Sequence, residues 1–145
     1  MAEQLYWEDI QEGNSLPPLK KNATPRQLVR WAGASGDFYE IHYDKDFALG
    51  NNLPGIIIHG ALKSAWLGQM LDNWVGEKGR IMSYGCSYRG MDVPNDELTL
   101  TGVVTKKYVE GSEHIVEADI WLENSRGEKT TPGKAKVVLP SRGQA

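Results

Sequence analysis

The stretch of the chain that says most is its least amphipathic one. Between Ala61 and Val75 the apolar residues are Ala61, Leu62, Ala65, Trp66, Leu67, Met70, Leu71, Trp74 and Val75. Lys63, Ser64, Asp72 and Asn73 leave only a modest polar side. A helix that is apolar around most of its circumference is enclosed rather than laid on a surface. Gly76 and Gly79 stop it. Downstream the period shortens to two. Leu98, Leu100 and Val104 share one parity against Thr99, Thr101 and Thr105. Val116, Ala118, Ile120 and Leu122 alternate with Glu117, Asp119 and Glu123, with Trp121 as an apolar exception. Ala135, Val137 and Leu139 alternate with Lys134 and Lys136. These patterns predict half-buried antiparallel strands. Glu110-Gly111-Ser112 and Asn124-Ser125-Arg126-Gly127 predict the hairpin turns between them. Residues 80–91 supply one more strand, with Gly85 and Gly90 as candidate bulge or bend positions.

Upstream, a polar lead-in reaches Pro17-Pro18, which suits an edge strand. Thr24-Pro25 marks a helix start, because Thr can cap the free N–H groups and Pro needs no partner at the first position. Leu28, Val29, Trp31 and Ala32 give that helix its apolar stripe, and Gly33 and Gly36 are expected to end it. Residues 44–55 read as a loop with one short helical turn, broken at Asn51-Asn52 and Pro54-Gly55. The order is strand, helix, loop, enclosed helix, then four antiparallel strands. It fits an α+β fold in which one antiparallel β-sheet wraps a long central helix. One sheet covers one side of such a helix, so a second copy is expected to complete the burial or extend the sheet edge as a dimer.

At 145 residues, with 40% hydrophobic and 24% charged, the chain is expected to be a single domain over 1–145. Lys plus Arg number 16 and Asp plus Glu 19, a formal charge of −3. Mild acidity removes the long-range attraction that nucleic acid or an anionic membrane would use. Even an aliphatic run as long as any in the chain, Ile56-Ile57-Ile58, is far short of a membrane span. One cysteine, Cys86, cannot form an internal disulfide or a multi-cysteine metal site. The acidic start, Met1 to Asp9, lacks the basic and apolar stretches of a secretion signal, so a cytoplasmic location is expected.

The chemistry is concentrated in two segments. In Ser35-Gly36-Asp37-Phe38-Tyr39-Glu40-Ile41-His42-Tyr43-Asp44, Asp37 and His42 are 42 − 37 = 5 residues apart. On a regular helix that is a rotation of about 140°, so the two converge only if the chain bends between them. A carboxylate beside an imidazole can hold a water molecule and move its protons near neutral pH. Spacing alone equally allows Asp37 to cap a turn and His42 to be a satisfied loop histidine. In the second segment, Ile56-Ile57-Ile58-His59-Gly60-Ala61, Gly60 opens the enclosed helix. Its N–H, backed by the helix dipole, can stabilise the oxygen of a polarised carbonyl. Equally, Gly60 can serve only close packing and His59 only structure. Together the segments suit proton chemistry beside a carbonyl. No nucleophile elbow, phosphate loop or dinucleotide-binding glycine pattern is present. The three histidines, 42, 59 and 114, lack metal-binding spacing, so no metal or cofactor is expected.

The run from Ala34 to Asp44 resembles the hydratase-2 motif of MaoC-like (R)-specific enoyl-CoA hydratases, in which Gly-Asp-Phe is followed by Asn-Pro, an aliphatic residue and His. Here Tyr39-Glu40 stand in place of Asn-Pro. Ile56 to Gly60 resembles that family's aliphatic-His-Gly segment at the start of its central helix. The resemblance extends over about residues 8–140. It implies a hot-dog fold, with an acyl-CoA thioester bound along the interface of a homodimer, a higher oligomer or a heteromer. It implies reversible hydration of trans-2-enoyl-CoA to (R)-3-hydroxyacyl-CoA, a hydro-lyase activity of fatty-acid or related metabolism. Asp37 and His42 would be catalytic. Gly60 would supply the oxyanion N–H, and His59 and Tyr39 would adjoin the substrate. The alternatives are a hot-dog acyl-CoA thioesterase and an acyl-CoA-binding subunit of a heteromeric hydratase. Arg80, Arg89, Lys106 and Lys107 are candidates for the CoA phosphates.

Overall fold

The computed structural model describes residues 3–143. A short strand, β1 (Leu19–Lys21), precedes helix α1 (Pro25–Ser35). A 3₁₀ turn (Glu40–His42) and the short helix α2 (Lys45–Gly50) lead to the central helix α3 (Gly60–Val75). Four strands follow: β2 (Arg80–Cys86), β3 (Leu98–Glu110), β4 (Glu113–Glu123) and β5 (Lys129–Val138). They form one sheet in the order β1-β3-β4-β5-β2, and every neighbouring pair is antiparallel.

The alternation read from the sequence is the alternation of burial. Leu98, Leu100 and Val104 of β3, Ala118, Ile120 and Leu122 of β4, and Ala135 and Val137 of β5 all face inward. They close on Trp66, Leu67, Met70, Leu71 and Trp74 of α3, which belong to the same core cluster. The β3–β4 turn is two residues long, with Gly111 at φ 61°, a conformation that favours glycine. In the β4–β5 turn, the Asn124 side-chain oxygen accepts from the Arg126 and Glu128 N–H groups at 3.0 and 3.1 Å. The Thr24 hydroxyl accepts from the Gln27 N–H, as its capping position predicts.

Three details differ from expectation. Helix α1 runs through Gly33 and ends only at Gly36, whose φ of 76° provides the left-handed cap. Strand β2 ends at Cys86 rather than running to residue 91, and its irregularity falls between Ile81 and Ser83 rather than at Gly85 or Gly90. Gly85 stays in register opposite Lys134 and passes close to Gly133, where a Cβ would run into the Gly85 carbonyl oxygen. Lys63, assigned to the polar side of α3, is buried.

The sheet covers one side of α3. On the other side Ala61 is exposed and Ser64, Ala65 and Gly68 are partly exposed. Tyr84 of the edge strand β2 reaches over this face, its hydroxyl donating to the Ser64 carbonyl at 3.2 Å. Around it Met82, Tyr88 and Met91 are exposed by 39, 56 and 52%.

Two glycine substitutions should act with opposite sign. Gly33→Ala, at an exposed helical position with open space at Cβ, should stabilise by about 0.5–1 kcal/mol. Gly133→Ala should destabilise by about 1–3 kcal/mol, because it forces β2 away from β5. Urea denaturation of both variants measures the signs.

Candidate active site

The bend that brings Asp37 to His42 is built from three local features. Gly36 turns the chain out of α1 with its N–H still bonded to the Ala32 carbonyl. The Ser35 hydroxyl accepts from the Asp37 N–H at 3.2 Å, and Asp37 Oδ1 accepts from the Tyr39 N–H at 3.4 Å. The 3₁₀ turn then carries His42 inward, where it is buried. As a result Asp37 Oδ2 stands 3.9 Å from His42 Nε2. Asp37 keeps a half-exposed side chain, while that of His42 is only 9% exposed.

Hydrogen bonding fixes where the protons are. His42 Nδ1 lies 2.7 Å from the Ile57 carbonyl oxygen. A carbonyl can only accept, so Nδ1 carries the proton and, in the neutral ring, Nε2 is left as an acceptor. Asp37 Oδ2 is also an acceptor, and 3.9 Å is too long for a direct bond. Two acceptors at this separation are matched by a molecule that donates to both, and water has the two O–H groups required.

His59 is fully buried and stacks on His42, with ring centroids 3.7 Å apart and planes inclined by 19°. Its Nε2 donates to the Asp37 carbonyl at 3.3 Å, and its Nδ1 is buried without a partner among the described residues. Burial, then the neighbouring His42, hold its pKa below the ordinary value, although the Asp37 contacts oppose them. His59 thus sits behind the pair and ties the Asp37 backbone to the start of α3.

Helix α3 begins at Gly60, with His59 as its N-cap. Among the described residues nothing accepts from the Gly60 N–H. The Tyr88 ring lies so close that a Cβ at residue 60 would meet it at 3.0 Å. Beside it opens a cleft of about 310 Å³, lined by His42, Ile57, Gly60, Lys63, Tyr88 and Met91 among others. His42 and Gly60 therefore face one volume, whereas Asp37 is outside its lining and stands next to it, with Oδ2 3.9 Å from His42 Nε2. Tyr39 lies outside this lining, its ring edge-on to His42 with 6.4 Å between centroids.

Of the basic candidates, Arg89 lines the cleft. Arg80 pairs with Glu113. Lys107 donates to the Ile10 carbonyl and lies over Trp7, and Lys106 lies over Tyr108. His114 packs edge-on to Trp7. Asp37, His42 and His59 bring ligating atoms within 4.8 Å of one another, a cluster that sequence spacing does not disclose. Each histidine commits one nitrogen to a carbonyl; His59 Nδ1 is left buried without a partner among the described residues, and His42 Nε2 and Asp37 Oδ2 are the acceptors that face each other.

The sequence pattern does not disclose the placement of Lys63, Tyr88 and Asp92 around this cleft. Lys63 and Asp92 form an ion pair at 2.9 Å with side chains 3 and 0% exposed. The one available signal was Lys63 itself, the only basic residue within α3. A cation in an enclosed helix needs a buried partner.

Known proteins resemble this chain in sequence and in fold. The fatty acid synthase subunit beta of Saccharomyces cerevisiae is 36% identical over 77 residues, 52% of this chain. This chain spans only 4% of that large subunit. The (R)-specific enoyl-CoA hydratase of Rhodospirillum rubrum is 28% identical over 144 residues, covering 95% of this chain and 94% of that enzyme. The solved (R)-hydratase of A. caviae, involved in PHA biosynthesis, superposes with a TM-score of 0.81 at 22% identity, covering 92% of this chain and 99% of that one. The five-stranded sheet curled around α3 is thus the hot-dog fold. The family model for the MaoC-like domain matches residues 11–124, which take in the Asp37–His42 bend, the Gly60 helix start and most of the sheet, and the chain therefore belongs to the MaoC-like family.

Proposed function

We propose that the chain reversibly hydrates a trans-2-enoyl-CoA to an (R)-3-hydroxyacyl-CoA. The observation that carries this reading is the 3.9 Å gap between two facing acceptors, beside a cleft that also holds an unpartnered helix-start N–H. The likeness to the R. rubrum hydratase over nearly its whole length supports it.

Water donates one O–H toward His42 Nε2 and the other toward Asp37 Oδ2, leaving its lone pair free. The thioester oxygen of the substrate accepts from the Gly60 N–H, which draws electron density from the β-carbon. As the water oxygen bonds to that carbon, the Asp37–His42 pair takes one proton. The enolate that forms is held at Gly60, and a proton from the pair goes to the α-carbon. The balance is H–OH across one C=C bond, with no redox change. The peptide dipoles of α3 favour the negative oxygen at its amino end.

The active species we propose is a homodimer joined along β2. Among the described residues that edge has no partner in the sheet; Met82 and Tyr84 on it, and Tyr88 and Met91 after it, are exposed beside the small residues of α3. A second copy would cover this apolar face and wall the cleft at Tyr88 and Met91. The proposed compartment is the cytoplasm, in keeping with a single unpaired thiol.

Asp37→Asn and His42→Ala should each lower turnover of crotonyl-CoA about 10²–10⁴-fold, or about 3–5.5 kcal/mol of barrier, with the thermal midpoint nearly unchanged. Wild-type turnover by either variant would refute the assignment, and release of free CoA thiol would indicate a thioesterase instead. Light scattering should give twice the chain mass, and Tyr84→Lys should shift it toward one chain mass. A wild-type protein at one chain mass rules the dimer out.

His59 must stay neutral to keep its place. Because its folded pKa is lowered, the unfolded chain binds the extra proton first as pH falls below the ordinary value near 6.5. Stability is therefore whole above that pH and declines through the range below it. His59→Gln, which lacks this titration, should show a flatter thermal midpoint between about pH 7.5 and 5. An equally steep acid decline in the variant would count against the assignment.

A further inference from the structure

The buried Lys63–Asp92 pair is not used by the hydration chemistry, yet it is placed where that chemistry is aimed. Lys63 Nζ donates to Asp92 Oδ2 at 2.9 Å and to the Gly90 carbonyl at 3.0 Å. The same Oδ2 accepts from the Thr130 hydroxyl at 2.6 Å, while Oδ1 is buried with no partner among the described residues. The carboxylate is therefore held through one oxygen by two donors. The Asp92 backbone carbonyl accepts from the Ile58 N–H at 2.8 Å. Behind it, the Thr130 carbonyl accepts from the Arg89 and Gly90 N–H groups at 2.9 and 3.0 Å. A Cβ on Gly90 would meet Thr130 at 3.0 Å, so this segment has little freedom to shift toward β5.

The pair thus joins the first turn of α3, the 89–92 segment and β5. Its reach extends one residue further. Ile58 is bonded to Asp92, and the neighbouring Ile57 carbonyl accepts from His42 Nδ1. On the other side, Ile57 N–H donates to the Ile41 carbonyl at 3.1 Å. Lys63 lies one helical turn after Gly60. Residues 57–60 are therefore held from both ends, by the Asp92 backbone carbonyl at Ile58 and by the Lys63 ammonium, which is anchored on the Asp92 carboxylate one turn past Gly60.

We infer that Lys63 and Asp92 are positioning residues: their buried ion pair clamps residues 57–60, so that the Ile57 carbonyl keeps the proton on His42 Nδ1 and the Gly60 N–H faces the cleft. A buried ion pair adds little stability over a well-packed apolar pair, but it fixes direction when its remaining bonds are made. Removing the ammonium leaves a buried carboxylate with one hydroxyl donor. The 89–92 segment and Ile58 then move together, and the Ile57 oxygen leaves the line of the His42 N–H.

This inference rests on the hydratase reading for its effect on rate but not for its structural readout. The test uses the full chain labelled with ¹⁵N-histidine, without substrate, at a pH where the imidazoles are neutral. Long-range proton–nitrogen spectra should show His42 as the Nδ1–H tautomer in the wild type. In Lys63→Met the spectra should show a mixture of tautomers, with kcat for crotonyl-CoA about 10²-fold lower and KM within about threefold. Lys63→Met/Asp92→Leu, which leaves no unpaired buried charge, should regain the thermal midpoint lost in Lys63→Met but neither the single tautomer nor kcat. If Lys63→Met does not fold, the double variant is read in its place. An unchanged His42 tautomer in the folded variant overturns the inference, even if kcat falls. So does a double variant that recovers tautomer and turnover together with stability. A wild type that shows the Nδ1–H tautomer but no hydration would count against the hydratase reading and leave the clamp standing.

Discussion

Putting the amino end of a mostly apolar helix inside the mouth of a curled sheet leaves polar backbone groups with little water to bond. That constraint organises the structure. The first N–H groups of any helix lack partners within it. Here several of the neighbouring groups are satisfied from across the fold. Ile57 and Ile58 donate to the Ile41 and Asp92 carbonyls, and the Ile57 carbonyl accepts from His42. His59 turns its ring to the Asp37 carbonyl. The Gly60 N–H remains without a partner among the described residues, next to the cleft. The same packing that buries α3 leaves the Gly60 N–H free where a carbonyl oxygen can meet it.

The histidine pair shows how this constraint becomes chemistry. Each ring commits one nitrogen as a donor, and each donation ends on a backbone carbonyl of the opposite segment. The two segments, 36–42 and 57–60, thereby fix each other. His42 cannot reverse its tautomer without breaking the bond to Ile57, and Asp37 is held by its own backbone. Geometry of this kind costs no reorganisation when a substrate arrives, which is where most of the catalytic advantage of a preorganised site lies.

The buried ion pair beneath the site belongs to the same economy of polar groups. Lys63 is enclosed with Asp92 and Thr130 in a region that apolar side chains could fill. Its geometry explains its presence better than its contribution to stability, since the desolvation of two charges offsets most of their attraction. Tyr88 has the complementary role of a wall. It rests on Gly60, which has no side chain to hold it off, and leaves the cleft narrow on that side.

By itself the sequence determined the enclosed helix, the strand parity and the turns, because these depend on contacts between near neighbours and on a periodicity that burial must respect. It also determined the candidate trio of Asp37, His42 and Gly60, because a glycine-broken Asp-x₄-His run and a His-Gly helix start are local patterns. Only the tertiary structure decided that a five-residue separation closes to 3.9 Å, that His59 lies behind the pair rather than in the cleft, and that Lys63 points inward. Each of these follows from what stands opposite. The partners are 15 to 29 residues away in the chain for His42–Ile57, His59–Asp37 and Lys63–Asp92, and no periodicity along one strand of sequence records which side chain or carbonyl will face a residue across a fold.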